Sequence, residues 1–173
     1  SAASDVYKRQ LSICRRAAGV AGIDELCLTT NGTLLPELAL PLKEAGVHRL
    51  NISLDTLRPE RYSYITRTGS LEQAIKGIEA ALAAGFEKLK INTVLIGGFN
   101  EDEIEELAQL TRLYPLDLRF IEMMPMYDGG DFGPEAFIPY TRVLERLPEL
   151  ESVQPDGGVA RLFRLPGALG RVG

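Results

Sequence analysis

An α/β fold built on a parallel sheet, either a (βα) barrel or a doubly wound sheet, is what the sequence predicts, and three observations predict it. Short runs dense in β-formers alternate with segments of helical periodicity between residues 11 and 126. Capping residues and glycine stops punctuate the helical segments. The connections between successive strands are long enough to hold a helix, and such crossovers pair their strands in parallel with right-handed connections.

The polar opening, residues 1–10, carries no assignable pattern and stands apart as foreign to the rest. Leu11 to Val20 reads as the end of a helix, and Glu25 to Thr30 (ELCLTT) as a strand that stops at the turn pair Asn31-Gly32. Pro36 opens the next helix, Leu38, Leu42 and Ala45 form its apolar stripe, and Gly46 stops it. Arg49 to Ser53 (RLNIS) is the second strand. Ser70 with Gln73 makes a capping box for a helix carrying Leu71, Ile75, Ile78 and Leu82, which ends at Gly85. Lys90 to Ile96 is the third strand, Asn100 with Glu103 is a second capping signal before Ile104, Leu107 and Leu110, and Asp117 to Glu122 (DLRFIE) is the fourth strand. Beyond Met126 the chain is rich in glycine and acid, then reads as a helix at Tyr140 to Arg146. Two β-like stretches, Leu150 to Gln154 and Val159 to Leu165, flank the turn Pro155-Asp156-Gly157-Gly158 as a hairpin, and PGALGRVG closes no element.

Composition narrows the function classes. The 173 residues are 45% apolar, enough for a folded core, and 19 Lys and Arg against 24 Asp and Glu leave a net charge of −5. That balance argues against a nucleic-acid surface. No apolar run approaches the ~20 residues of a membrane-spanning helix and no leader opens the chain, so a cytoplasmic location is expected. Cys14 and Cys27 are too few and too far apart for a zinc or iron-sulfur signature and read as reduced packing residues.

Ligands of parallel α/β folds gather at the carboxyl ends of the strands. Those ends read Thr29-Thr30-Asn31-Gly32, Asn51-Ile52-Ser53-Leu54-Asp55 and Arg119-Phe120-Ile121-Glu122-Met123-Met124. The third strand places Lys90 and Asn92 on one face and Ile91, Thr93 and Leu95 on the other. An ammonium on a strand covered from both sides needs an opposite charge, which Glu122, Asp55 or an anionic ligand such as a triphosphate would supply. Thr29, Thr30 and Asn31 orient a ligand or make a turn. Ser53 and Asp55 bind a ribose or an amino acid, or cap the helix that starts near Pro59. Met123 and Met124 lie against a sulfonium or adenine, or fill the core. Gly97-Gly98 resembles a weak anion nest. Arg161, Arg164 and Arg171 face phosphates or solvent, and His48 is structural.

The strings LTTNGTLL, RLNISLD, KINTV and RFIEMMP, in that order and at those intervals, resemble the radical S-adenosylmethionine GTP 3',8-cyclase family, also called the molybdenum cofactor biosynthesis protein A family. The resemblance runs from about Leu11 to Gly173 and includes the tail RLFRLPGALGRVG. It implies a partial (βα) barrel over residues 11–126 holding the last four of six strands, then an extension, 127–173, that leads toward a second cluster loop. Thr29 and Lys90 match residues that contact GTP, and Ser53 and Met124 match residues that contact S-adenosyl-L-methionine. The implied reaction is a lyase step of molybdopterin synthesis. A 5'-deoxyadenosyl radical abstracts the ribose 3' hydrogen of GTP, and the ribose radical attacks guanine carbon 8, giving (8S)-3',8-cyclo-7,8-dihydroguanosine 5'-triphosphate.

The implied cofactors are S-adenosyl-L-methionine and two 4Fe-4S clusters. The implied partners are GTP, an electron donor and, by pathway, cyclic pyranopterin monophosphate synthase, with a homodimer compatible and neither nucleic acid nor membrane expected. The family binds one cluster through CxxxCxxC and the second through three further cysteines, and neither set is in this sequence. The chain therefore reads as an inactive fragment with no catalytic or metal residue of its own. The alternatives are another radical S-adenosylmethionine maturase, an aldolase-like phosphate-binding barrel with Lys90 as Schiff base, and a non-catalytic nucleotide-binding module.

Overall fold

The computed structural model describes residues 2–124, 132–154 and 161–173, with side chains from residue 7 onward. The turn at residues 155–158 and most of the glycine-rich stretch after Met126 lie outside the described residues. The order is α1 (Ala2–Ala18), β1 (Cys27–Thr30), α2 (Leu35–Glu44), β2 (Arg49–Ser53), α3 (Pro59–Thr66), α4 (Leu71–Ala83), β3 (Lys88–Leu95), α5 (Ile104–Leu113), β4 (Asp117–Glu122), α6 (Thr141–Arg146), β5 (Glu151–Val153), β6 (Leu162–Arg164) and β7 (Arg171–Val172). The opening left unassigned on sequence is the first half of α1.

Among the described residues seven strands form one open sheet in the order β1-β2-β3-β4-β7-β6-β5, in which β1 to β4 and β7 pair in parallel and β6 runs antiparallel to both β7 and β5. β1 to β4 follow one another without the reversal that marks a doubly wound sheet. Crossovers of one hand wound in one direction put their helices on one side of the sheet. The burial pattern agrees. Leu50 and Ile52 of β2, Leu89, Ile91, Thr93 and Leu95 of β3 and Leu118 of β4 are buried. The apolar ones among them join Ala39 and Leu42 of α2, Ala74, Ile78 and Ala81 of α4 and Leu107 of α5 in a single core. The residues between them in β2 and β3 are half-buried or exposed. The sheet does not close, so the described chain is a one-sided α/β sheet with an uncovered second face.

Local chemistry explains the elements. Ser70 and Gln73 form the expected capping box, each side chain bonding the other's backbone N–H. Pro36 sits in the first turn of α2. The hairpin expected near residues 150–165 is present as the β5 and β6 pair.

Two expectations change. Asn100 and Glu103 make no capping box; both side chains reach across the strand ends instead. Asn100 accepts from Ile96 N–H at 2.8 Å and donates to the carbonyls of Asp55 and Val94 at 2.7 and 2.8 Å. Tertiary partners outbid the local cap because these side chains are fully buried, where every polar atom must be satisfied. The tail expected to close no element supplies β7, which pairs with both β4 and β6. A two-residue strand has no periodicity to read, and only its neighbours define it. Among the described residues, no helix is long and apolar enough to cross a membrane.

Candidate functional site on the open sheet face

In a parallel sheet, residues paired across neighbouring strands stand side by side on the same face. The register sets Thr29, Asn51, Lys90, Asp117 and Arg171 in one row across β1, β2, β3, β4 and β7. Ser53, Asn92 and Arg119 form the next row toward the carboxyl ends. At about 4.8 Å per strand the first row spans roughly 19 Å. Every residue named in the two rows is polar, and both rows lie on the face that the helices leave open.

At one end of that face the cations share a carboxylate. Arg171 donates to Asp117 through Nε at 2.8 Å and Nη2 at 2.7 Å, a bidentate fork, and Arg119 reaches the same carboxylate through Nη2 at 3.3 Å. Lys90 is the register neighbour of Asp117 on the other side. Two atoms on this face are buried without a hydrogen-bond partner, Asn51 Oδ1 and Arg119 Nε. An unsatisfied buried polar group costs about 1–3 kcal/mol, so such atoms concentrate where a ligand or water completes them.

Behind the row of Ser53 lies a rigid support. Glu103 is fully buried and accepts from Thr56 Oγ1 at 2.7 and 2.9 Å, from Leu57 N–H at 2.6 Å and from Arg61 at 2.6 Å. Arg61 also meets Asp102 at 2.7 Å. With the Asn100 clamp, these bonds tie the loops after β2 and β3 together. Asp55 accepts Val94 N–H at 2.8 Å, and burial pushes its carboxyl above the usual aspartate range despite that bond.

The structure therefore brings together Thr29 and Lys90 in one row and Ser53 in the next. Met124 stands two residues beyond β4 and is 77% exposed, so it is not core filler, and no described contact joins it to the other three. Lys90 is half-buried on the face of β3 away from the helices of the described residues, and its neighbour in the register is Asp117. Of the two expected carboxylates, Glu122 accepts Tyr140 N–H at 2.8 Å and Asp55 accepts Val94 N–H. α3 begins after Arg58 with no side-chain cap, so Ser53 and Asp55 are not its capping residues.

Several bland readings stand. Thr30 and Asn31 make the turn, accepting from Gly32 N–H and Thr33 N–H at 3.2 Å each. His48 accepts Leu26 N–H through Nδ1 at 3.1 Å. Gly97 N–H is taken by the Ala136 carbonyl, so the nest is not formed there. Cys14 is in the core, whereas Cys27 is half-buried and accepts from Arg49 Nε at 3.4 Å. Of the three late arginines, Arg171 stands in the row and bonds Asp117; Arg161 stacks on Tyr140 with 5.4 Å to its ring centroid, and Arg164 is exposed on β6. Asn51, Asp117 and Arg119 carried no role on sequence. The signal was there in RLNIS and DLRFIE, whose alternation places Asn51 with Ser53 and Asp117 with Arg119.

Among the described residues no cluster of His, Cys, Asp and Glu is placed to hold a metal ion. The chain is similar to proteins named GTP 3',8-cyclase. That of Peptoclostridium acidaminophilum is 47% identical over 97% of this chain and 53% of its own length. Those of Pelotomaculum thermopropionicum and Moorella thermoacetica are 47% and 44% identical, over 97% of this chain and 54% and 53% of theirs. The chain thus spans about half the length of the curated relatives it matches. A family model described as the Radical SAM superfamily matches residues 2–111, beginning inside α1 and running into α5. That match covers the strands β1, β2 and β3 on which Thr29, Ser53 and Lys90 stand, and the chain belongs to the Radical SAM superfamily.

Proposed function

We propose that this chain is the substrate-holding part of a GTP 3',8-cyclase, with GTP laid along the Thr29 to Arg171 row and S-adenosyl-L-methionine at the tips of β2 and β4. On this reading β1 to β4 are the last four strands of a radical SAM barrel, and residues 127–173 form an extension anchored by β7. The observation that carries it is the row itself: an aligned set of hydroxyl, amide and cationic groups around one carboxylate, on the face opposite the helices. Lys90 and the two arginines suit the phosphates, while Thr29 and Asn51 offer short hydrogen-bonding groups for the nucleoside.

Bound S-adenosyl-L-methionine supplies the 5'-deoxyadenosyl radical that the chemistry requires. Ser53, exposed at the end of β2, offers its hydroxyl to that ligand, and the Met124 thioether packs beside the adenosyl group. Among the described residues there is no ligand set for a 4Fe-4S cluster. The contribution of this chain is to hold two ligands in contact and to keep water out.

The test is Lys90→Ala in the full-length protein, with GTP and S-adenosyl-L-methionine titrated separately. Loss of a charge-assisted bond of about 1.5–3 kcal/mol weakens GTP binding roughly 10- to 100-fold and leaves S-adenosyl-L-methionine binding within about twofold. Equal losses for both ligands would remove Lys90 from the nucleotide site.

A further inference from the structure

We infer that Asp117 is a positioning residue that assembles the phosphate seat; the inference rests on the nucleotide reading above. An acid among cations facing an anionic ligand is at first sight misplaced, since its own charge repels that ligand. Its geometry says otherwise. Asp117 is 13% exposed, opens β4, and sits between Lys90 on β3 and Arg171 on β7 in the register. It holds the Arg171 guanidinium by both arms and takes one bond from Arg119.

A bland alternative is an ion pair that merely fastens β7 to β4. That account leaves Arg119 unexplained. Its side chain is 11% exposed, yet its bond to Asp117, at 3.3 Å, is the longest of the three and its Nε is buried with no hydrogen-bond partner. A guanidinium held by one arm, with other donors unused on an open face, is presented rather than neutralised. The register sets Lys90 beside the carboxylate that Arg119 and Arg171 bond, so three cationic side chains meet at Asp117. Without the carboxylate, like charges at this spacing push apart and the rigid forks lose their common orientation. Asp117 thus trades some attraction for a preassembled seat, so a polyphosphate finds its donors already aimed.

The test compares wild-type full-length protein with Asp117→Asn and Arg171→Lys, titrating guanosine, GDP, GTP and inorganic triphosphate, with S-adenosyl-L-methionine as the folding control. Positioning predicts that Asp117→Asn weakens GTP and inorganic triphosphate by about tenfold. The loss falls for GDP and vanishes for guanosine and S-adenosyl-L-methionine. Arg171→Lys keeps the charge but loses the fork, so it shows the same phosphate-dependent loss, and the double variant adds little to it. If Asp117→Asn binds GTP as tightly as wild type or more tightly, the carboxylate is only an opposing charge and the inference fails while the nucleotide reading stands. Equal loss for every ligand, including S-adenosyl-L-methionine, also overturns it by showing a structural role. Wild-type binding that ignores phosphate number overturns the nucleotide reading and the inference with it.

Discussion

The Asp55 carboxyl is half-buried beside β3 with one hydrogen bond, from Val94 N–H, and burial raises its pKa above the ordinary value of 3.8. A raised acid binds its proton more tightly in the fold than in the unfolded chain. Its contribution to stability is therefore present in full below pH 3.8 and is lost as pH climbs through the raised value. Asp55→Asn keeps an acceptor for Val94 N–H and removes the charge. It should melt higher than wild type near neutral pH, with the advantage shrinking as the pH falls toward 3.8, as read by melting temperature against pH. A constant difference across that range would show that ionisation is not the cause. Glu103 is a fully buried carboxylate that accepts four hydrogen bonds, two from Thr56 and one each from Leu57 N–H and Arg61. Glu103→Gln turns an amide donor toward those donors and should cost about 2 kcal/mol in urea unfolding. Neither environment was legible in the sequence, where Asp55 reads as a cap or ligand and Glu103 as half of a capping box. Both side chains look local, and the partners that claim them, Val94 and Thr56, come from other elements.

Elements with strong local signals were legible almost to the residue. β2 and β4 have the bounds their alternation predicts, and α4 begins at the box Ser70 and Gln73 announce. Ser70→Ala should cost about 1 kcal/mol by removing the acceptor for Gln73 N–H. What propensity alone misjudges is Gly77, in the middle of α4. Alanine there should favour the helix by about 0.8–1 kcal/mol. An added Cβ, however, would lie 2.0 Å from the Gly32 carbonyl oxygen, at the turn that ends β1. That oxygen belongs to backbone and cannot rotate away. Gly77→Ala should therefore destabilise, by a net 1–3 kcal/mol or so, and thermal melting checks the sign. A rise in melting temperature would mean that α4 sits further from the sheet than the structure has it. The open face was only half legible for a related reason. Alternation within each strand places Lys90 with Asn92 and Asn51 with Ser53, but the register that lines up four strands is a product of helix packing on the other face.

At the scale of the whole molecule, one short strand joins the irregular C-terminal region to the parallel sheet, and a single glycine lets it do so. Gly170 N–H donates to the Thr111 carbonyl at 2.8 Å, Arg171 N–H to Leu116 at 3.1 Å and Gly173 N–H to Leu118 at 2.8 Å, while Phe120 N–H donates back to Gly173 at 2.8 Å. The backbone at Gly170 passes so close to Leu116 that a Cβ would stand 1.9 Å from its carbonyl oxygen and 2.9 Å from its carbonyl carbon and nitrogen. Gly170→Ala must therefore lift β7 away from the end of α5 and the start of β4. Because Arg171 follows directly, the fork on Asp117 goes with it. Two effects should appear together. Stability falls by about 3 kcal/mol, near the upper range for overpacking, because the obstacle is backbone. Amide exchange then speeds up at Phe120 and Gly173, whose bonds β7 maintains, while Ile52 and Ile91 in the middle of the parallel sheet change much less. Polyphosphate affinity should drop along with the exchange protection, since the same strand carries Arg171. Protection lost uniformly across all strands would make the sheet a single cooperative unit with no separable joint, and unchanged protection at Phe120 would place Gly170 away from Leu116.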